Sequence, residues 1–201
     1  MKKVLLINGS PHKHGCTYTA LQEVARQLGA NGIDSQIVHI GDGPHYGCIG
    51  CAACRKTGRC FRDDIVCQLQ DLMAECDGLI VGSPVHYASA AGALCCVLDR
   101  LFYSGSGAFD GKPAAAVVSC RRGGASAAFD RLNKYFTICN MPVVSSKYWN
   151  SVHGNTPKEV EQDLEGLQVM RTLADNMAWM LNNLNQPTPQ REAPQRTNFI
   201  R

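Results

Sequence analysis

The sequence predicts an α/β protein: a five-stranded parallel sheet covered by helices on both faces, in three layers. Five short apolar runs recur along the chain, at residues 3–8 (KVLLIN), 35–40 (SQIVHI), 77–82 (DGLIVG), 114–119 (AAAVVS) and 142–146 (PVVSS). Segments with apolar residues at helical spacing lie between them. Strands that alternate with helices build parallel sheets buried on both sides, and right-handed crossovers leave few topologies. A length of 201 residues suits one domain with a full core.

Each element has a local reason. The first run ends at Gly9. Residues 17–29 place Leu21, Val24, Ala25 and Leu28 on one helical face, with Gly29 as a stop. Residues 35–40 alternate like a strand. A cysteine-rich segment follows, between His45 and Phe61. Asp63 and Asp64 then open a helix carrying Ile65, Leu69, Leu72 and Met73, acidic residues being favoured at a helix N-terminus. The third strand, 77–82, precedes a helix over 88–102 that ends in Asp99, Arg100, Leu101 and Phe102. The fourth strand leads to a helix over 124–138, and the fifth is 142–146. Thr156-Pro157-Lys158-Glu159 is a capping box with proline at the first helical position. It is expected to start one long helix through Val160, Leu164, Leu167, Met170, Ala174, Met177 and Leu181. Residues 1–185 are thus read as one domain with a cysteine-rich insert at 46–62. Residues 186–201 form a polar, proline-rich tail, expected to stay mobile or to pack on a neighbouring subunit.

Composition narrows the function classes. The net charge of +3 is small and its basic residues are scattered, which argues against a nucleic-acid surface. The longest apolar runs fall short of a membrane span. MKKVLLINGS lacks a cleavage site and reads as a strand rather than a signal peptide. Eleven cysteines without an export signal point to the reducing cytoplasm, where clustered cysteines serve metals or redox chemistry more often than disulfides.

In open α/β sheets, ligands bind outside the carboxyl ends of the strands. Residues 8–19, NGSPHKHGCTYT, run from strand through a hydroxyl-rich loop into a helix. The backbone amides there, with Ser10, Thr17 and Thr19, suit a phosphate, whereas a plain turn needs only one cap. Gly9 and Gly15 are separated by five residues, one more than the ATP-binding G-x4-G-K-[ST] pattern allows, and Cys16 stands where it needs lysine. The dinucleotide pattern is absent, and no cysteine has an arginine six positions on. A monophosphate such as FMN fits best. After the third strand, GSPVHYA supplies a rigid Ser-Pro turn and two rings, His86 and Tyr87. After the fourth, SCRRGG supplies glycines for close approach and two arginines. A Ser-Pro may simply end a strand and paired arginines are usually solvated; their joint position at the strand ends favours function.

NGSPHKHGCT, DGLIVGSPVHY, LDRLF and SCRRGG together resemble the NADPH-dependent FMN reductase branch of the flavodoxin-like superfamily, over about residues 1–182. The CIGCAACRKTGRC segment before Asp63-Asp64 is similar to the iron–sulfur flavoproteins. The resemblance implies sheet order 2-1-3-4-5, a homo-oligomer (dimer or tetramer) and FMN at the strand ends. The phosphate would lie on Ser10, Thr17 and Thr19. The isoalloxazine would lie against Pro84, Val85, His86 and Tyr87, and against the loop of Ser119, Arg121, Arg122, Gly123 and Gly124. Three cofactor-loop positions depart from the family: His12 where arginine is common, Cys16 where asparagine is, and His86 where tyrosine is.

Cys48, Cys51, Cys54 and Cys60 are spaced C-x2-C-x2-C-x5-C. The compartment disfavours a disulfide, and zinc sites prefer well-separated pairs or histidine partners. The spacing is nearer to iron–sulfur ligation, with Gly58 letting Cys60 fold back onto one [4Fe–4S] cluster. Arg55, Lys56, Arg59 and Arg62 would offset its charge. A compact turn without metal is the bland alternative. Cys67, Cys76, Cys95, Cys96 and Cys139 read as core, and Cys120 as a bystander beside the flavin.

The functional expectation is an oxidoreductase. It takes electrons from NAD(P)H or another reduced donor onto FMN, and passes them on to a redox partner protein or small-molecule acceptor, with a [4Fe–4S] cluster as relay. The alternatives are a cluster-free NAD(P)H-dependent FMN or quinone reductase, and a flavodoxin-like electron-carrier module.

Overall fold

The computed structural model describes residues 1–184, 187–193 and 195. In chain order the elements are β1 (Lys3–Asn8), α1 (Cys16–Ala30), β2 (Asp34–His39), α2 (Cys54–Thr57), α3 (Ile65–Glu75), β3 (Gly78–His86), β4 (Ser89–Ala90), α4 (Gly92–Gly105), β5 (Ala114–Cys120), α5 (Ala125–Ile138), β6 (Ser151–His153), α6 (Pro157–Val160) and α7 (Leu164–Asn183). The sheet order is β2-β1-β3-β5-β6, and every neighbouring pair along it is parallel. β4 only folds back on β3 as an antiparallel hairpin. Without that hairpin strand the order is the expected 2-1-3-4-5.

Alternate strand residues point to opposite faces, and the cores follow from this. Leu5, Ile7, Leu79, Val81, Ala116 and Val118 pack against Leu69, Met73, Leu94, Leu98 and Phe136 of α3, α4 and α5. Val4, Leu6, Ile80, Ala115 and Val117 pack against Leu21, Val24, Leu28, Met170, Leu173 and Met177 of α1 and α7. Among the described residues, no helix is long and apolar enough to cross a membrane.

Three expected elements differ. The fifth strand is not 142–146. Val143 makes one bridge to Ala114, after which the segment turns to α7: Asn176 donates to the Ser145 carbonyl, and the Ser146 side-chain hydroxyl donates to the Val169 carbonyl. Pairing with β5 resumes only at Ser151. The helix expected from residue 88 starts at Gly92, because Tyr87 and Ala88 form the hairpin turn. The last helix is broken in two. Thr156 caps α6 as expected, but the Asp163 carboxylate accepts from the backbone N–H groups of both Gly166 and His153 and starts α7 afresh. Part of the tail lies on its own chain, Arg191 pairing with Asp110 at 2.9 Å; Phe199 and Ile200 lie outside the described residues.

Candidate functional site

The parallel register brings the strand ends together. Asn8 stands beside Gly82, Pro84 beside Ser119, and Cys120 beside His153. Glycine lets the neighbouring layers close on this edge. A Cβ on Gly9 would meet Leu94 of α4 at 2.4 Å, and one on Gly82 would meet Leu21 of α1 at 2.8 Å.

The loop after β1 is ordered by its own polar groups. Asn8 donates to the Lys13 carbonyl and accepts from the Ser10 N–H. The Ser10 hydroxyl accepts from the His12 N–H at 3.1 Å and so keeps its own proton to give. Thr17 is 1% exposed, its hydroxyl 2.7 Å from that of Ser119. Only one of the two protons is used between them, so this pair also holds a spare donor. Thr19 differs: it gives its proton to the Gly15 carbonyl, inside its own helix. No side chain caps α1, whose N-cap is Gly15, and its first-turn amides form a concentration of positive potential. His12 is exposed on the loop. Cys16 donates weakly to the Gly154 carbonyl, and burial pushes its thiol above the ordinary value.

Two further loops meet at the same edge. Tyr87 and Ala88 both have positive φ, 49° and 57°, in the hairpin turn, a conformation that non-glycine residues occupy at a cost and that recurs at ligand sites. Tyr87 and His86 are exposed, whereas Pro84 and Val85 are half-buried. Gly124 opens α5 with φ +91°, and a Cβ there would lie 2.7 Å from the Ala88 backbone and 2.9 Å from Val85. The SCRRGG loop therefore rests directly on the hairpin. Arg121, Arg122 and Gly123 are exposed. Cys120 is buried, its thiol directed at the Arg122 carbonyl.

The cysteine segment forms a second centre. Cys48, Cys51, Cys54 and Cys60 all line one cavity, with Arg62, Arg100 and Tyr103. α2 supplies Cys54, and Gly58 caps it in the left-handed conformation, turning the chain back towards Cys60. All eleven cysteines are free. Among the described residues, no group of three His, Cys, Asp or Glu side chains is arranged to hold a single metal ion. Three nearby arginines are engaged elsewhere: Arg59 pairs with Asp71 at 2.9 Å, Arg55 donates to the Tyr103 hydroxyl, and Arg62 lies over the Tyr46 and Phe61 rings.

The cation that meets a cysteine sulfur of the segment is Arg100, from α4. It is 3% exposed and donates to Cys60 Sγ from Nε at 3.4 Å and Nη2 at 3.3 Å. Its other edge grips Asp64 at 2.7 and 3.0 Å. Sequence reading placed Arg100 only at a helix end, since nothing in spacing pairs residues 36 apart. Cys67, read as core, also turns to this segment and donates to the Arg62 carbonyl at 3.2 Å. α4 joins the two centres: the Ala91 N–H at its start is held by Ser83 near the end of β3, and Arg100 lies about 14 Å further along the helix.

Fold and loops define a flavodoxin-like α/β protein with a strand-end site and a cysteine-lined cavity beside it. The chain belongs to the NADPH-dependent FMN reductase family, whose sequence profile matches residues 2–156. An iron–sulfur flavoprotein of Methanocaldococcus jannaschii is 29% identical over 186 residues, covering 88% of this chain and 95% of the relative. Two solved structures share the fold. RosB with bound 8-demethyl-8-formylriboflavin 5′-phosphate has a TM-score of 0.71 at 14% identity, covering 100% of this chain and 99% of that one. A flavodoxin from the domain Archaea has a TM-score of 0.59 at 16% identity, covering 91% and 100%.

Proposed function

We propose that this FMN-family oxidoreductase takes electrons from NAD(P)H or another reduced donor and that Cys48, Cys51, Cys54 and Cys60 hold a [4Fe–4S] cluster beside the flavin. The observation that carries the reading is the convergence of all four cysteines on one cavity in a chain of this family. The donor set fits: four free thiols and a buried guanidinium that favours negative charge on sulfur. The strand-end loops fit FMN, with spare hydroxyl protons at Ser10 and the Thr17–Ser119 pair beside an uncapped helix N-terminus.

Bound FMN would supply two-electron uptake and stepwise release, and a cluster one-electron exchange. The protein binds and orients. Ser10, Thr17, Ser119 and the α1 amides would hold the phosphate, with His12, Cys16 and Thr19 shaping the loop. Pro84, Val85, His86 and Tyr87 would present the hairpin to the ring, with Arg121, Arg122, Gly123 and Gly124 on its other side. Exposed Tyr148 and Trp149, their rings 5.0 Å apart, support a homo-oligomer, and the unpaired cysteines support a cytoplasmic setting.

Denaturing extraction is expected to release FMN, and anaerobic NADPH or NADH to bleach the bound flavin. Recovery of FAD, or no flavin after reconstitution, contradicts the site. Thr17→Ala is expected to weaken FMN binding by about 1–3 kcal/mol, read by fluorescence titration; unchanged affinity removes Thr17 from the site.

A further inference from the structure

We infer that Arg100 is the positioning residue of the cysteine site: it holds Cys60 Sγ folded back into the cavity as a charged ligand and raises the reduction potential of what that ligand binds. The inference rests on the cluster reading above and deepens it.

The geometry is specific. Cys60 follows a five-residue arm and cannot rely on the tight x2 spacing that places the other three. It is reached instead from α4. The guanidinium shares its N–H groups among the Asp64 carboxylate, Cys60 Sγ and, from Nη2 at 3.4 Å, the Arg62 carbonyl. Nη1 and Nη2 take the Asp64 carboxylate, while Nε and Nη2 converge on one sulfur. A neutral thiol is a weak acceptor, so two N–H groups from a buried cation are poorly spent on one. They match a sulfur carrying negative charge, as a metal-bound thiolate does. Asp64 orients the guanidinium and is itself fixed, accepting from the Val66 N–H at 3.0 Å. Arg100 is thus clamped by the N-cap of α3 and presents its Nε–Nη2 edge to Cys60 at the cavity.

Two physical consequences follow. The x5 arm is held in place before any metal arrives. Hydrogen bonds to a ligand sulfur also favour the more negative, reduced state of a cluster. Arg55, Arg59 and Arg62 of the segment are occupied with Tyr103, Asp71 and aromatic rings, and the cation in hydrogen-bond contact with a ligand sulfur is Arg100.

The test uses full-length wild type, Arg100→Gln and Arg100→Lys, reconstituted anaerobically. Iron and sulfide are counted, and the midpoint potential is measured by dye-mediated titration. Arg100→Gln is expected to shift the one-electron equilibrium at least tenfold towards the oxidised state, 59 mV more negative, or to retain flavin while losing iron. Arg100→Lys keeps the charge without the fork and is expected to fall between. If Arg100→Gln does not fold, the Lys potential decides: a negative shift supports the role and a wild-type value overturns it. Full iron at wild-type potential in Arg100→Gln overturns the inference alone. Wild type that takes up no iron overturns the cluster reading, and this inference with it.

Discussion

Asp64→Ala is expected to destabilise the fold by about 3 kcal/mol or more, the cost of leaving a buried cation without its anion and a helix without its cap. Arg100 is almost wholly buried and keeps no other carboxylate partner among the described residues. Asp64 is also the N-cap of α3. Because its side chain is about one-third exposed, the effect sits at the low end for buried pairs. Burial alone would raise the Asp64 carboxyl. The Arg100 hydrogen bonds and the Val66 N–H outweigh burial and hold it below the ordinary value. A depressed carboxyl stabilises the fold above its unfolded-state pKa of about 4, and that stabilisation fades as pH falls through the folded-state value. The wild-type advantage over Asp64→Ala should therefore be full at neutral pH and shrink in acid. Urea denaturation at several pH values measures it. A difference under about 1 kcal/mol at pH 7 would mean that Arg100 finds another partner.

Gly124→Ala is expected to cost about 2–4 kcal/mol, combining backbone strain with overpacking, and to reduce flavin affinity by more than tenfold. At φ +91° an alanine is strained even in open space. Here its Cβ would also press on the Ala88 backbone at 2.7 Å. Ala88 cannot yield cheaply, being itself at positive φ in a two-residue turn. The SCRRGG loop would lift from the hairpin and open the strand-end site. Denaturant midpoints and flavin titration report the two effects separately. Wild-type values for both would show that the two loops do not form one site.

The fold was largely legible because buried parallel strands are short apolar runs and their helices carry one apolar face, both local properties. β1, β3 and β5 fall where the runs predicted. The edge was harder. PVVSS is apolar enough for a strand, but its end is tied to α7, Asn176 taking the Ser145 carbonyl and the Ser146 hydroxyl donating to the Val169 carbonyl, contacts over twenty residues on that no local pattern contains. The YA turn was missed because tight hairpins usually announce themselves with Asn-Gly or Asp-Gly. The hydroxyl-rich loop after β1 and the clustering of the four cysteines were visible in residue type and spacing. Arg100 was not, since its role lies in a long-range contact that only the packing of α4 against α3 creates.

The cluster reading meets its most direct test in composition. Protein produced and purified without oxygen should contain about four iron atoms, four acid-labile sulfides and one FMN per chain, and Cys54→Ala should lose the iron and sulfide while keeping the flavin. A full complement of FMN with neither iron nor sulfide, even after reconstitution, would contradict it and leave a cluster-free flavin reductase with a structural cysteine turn.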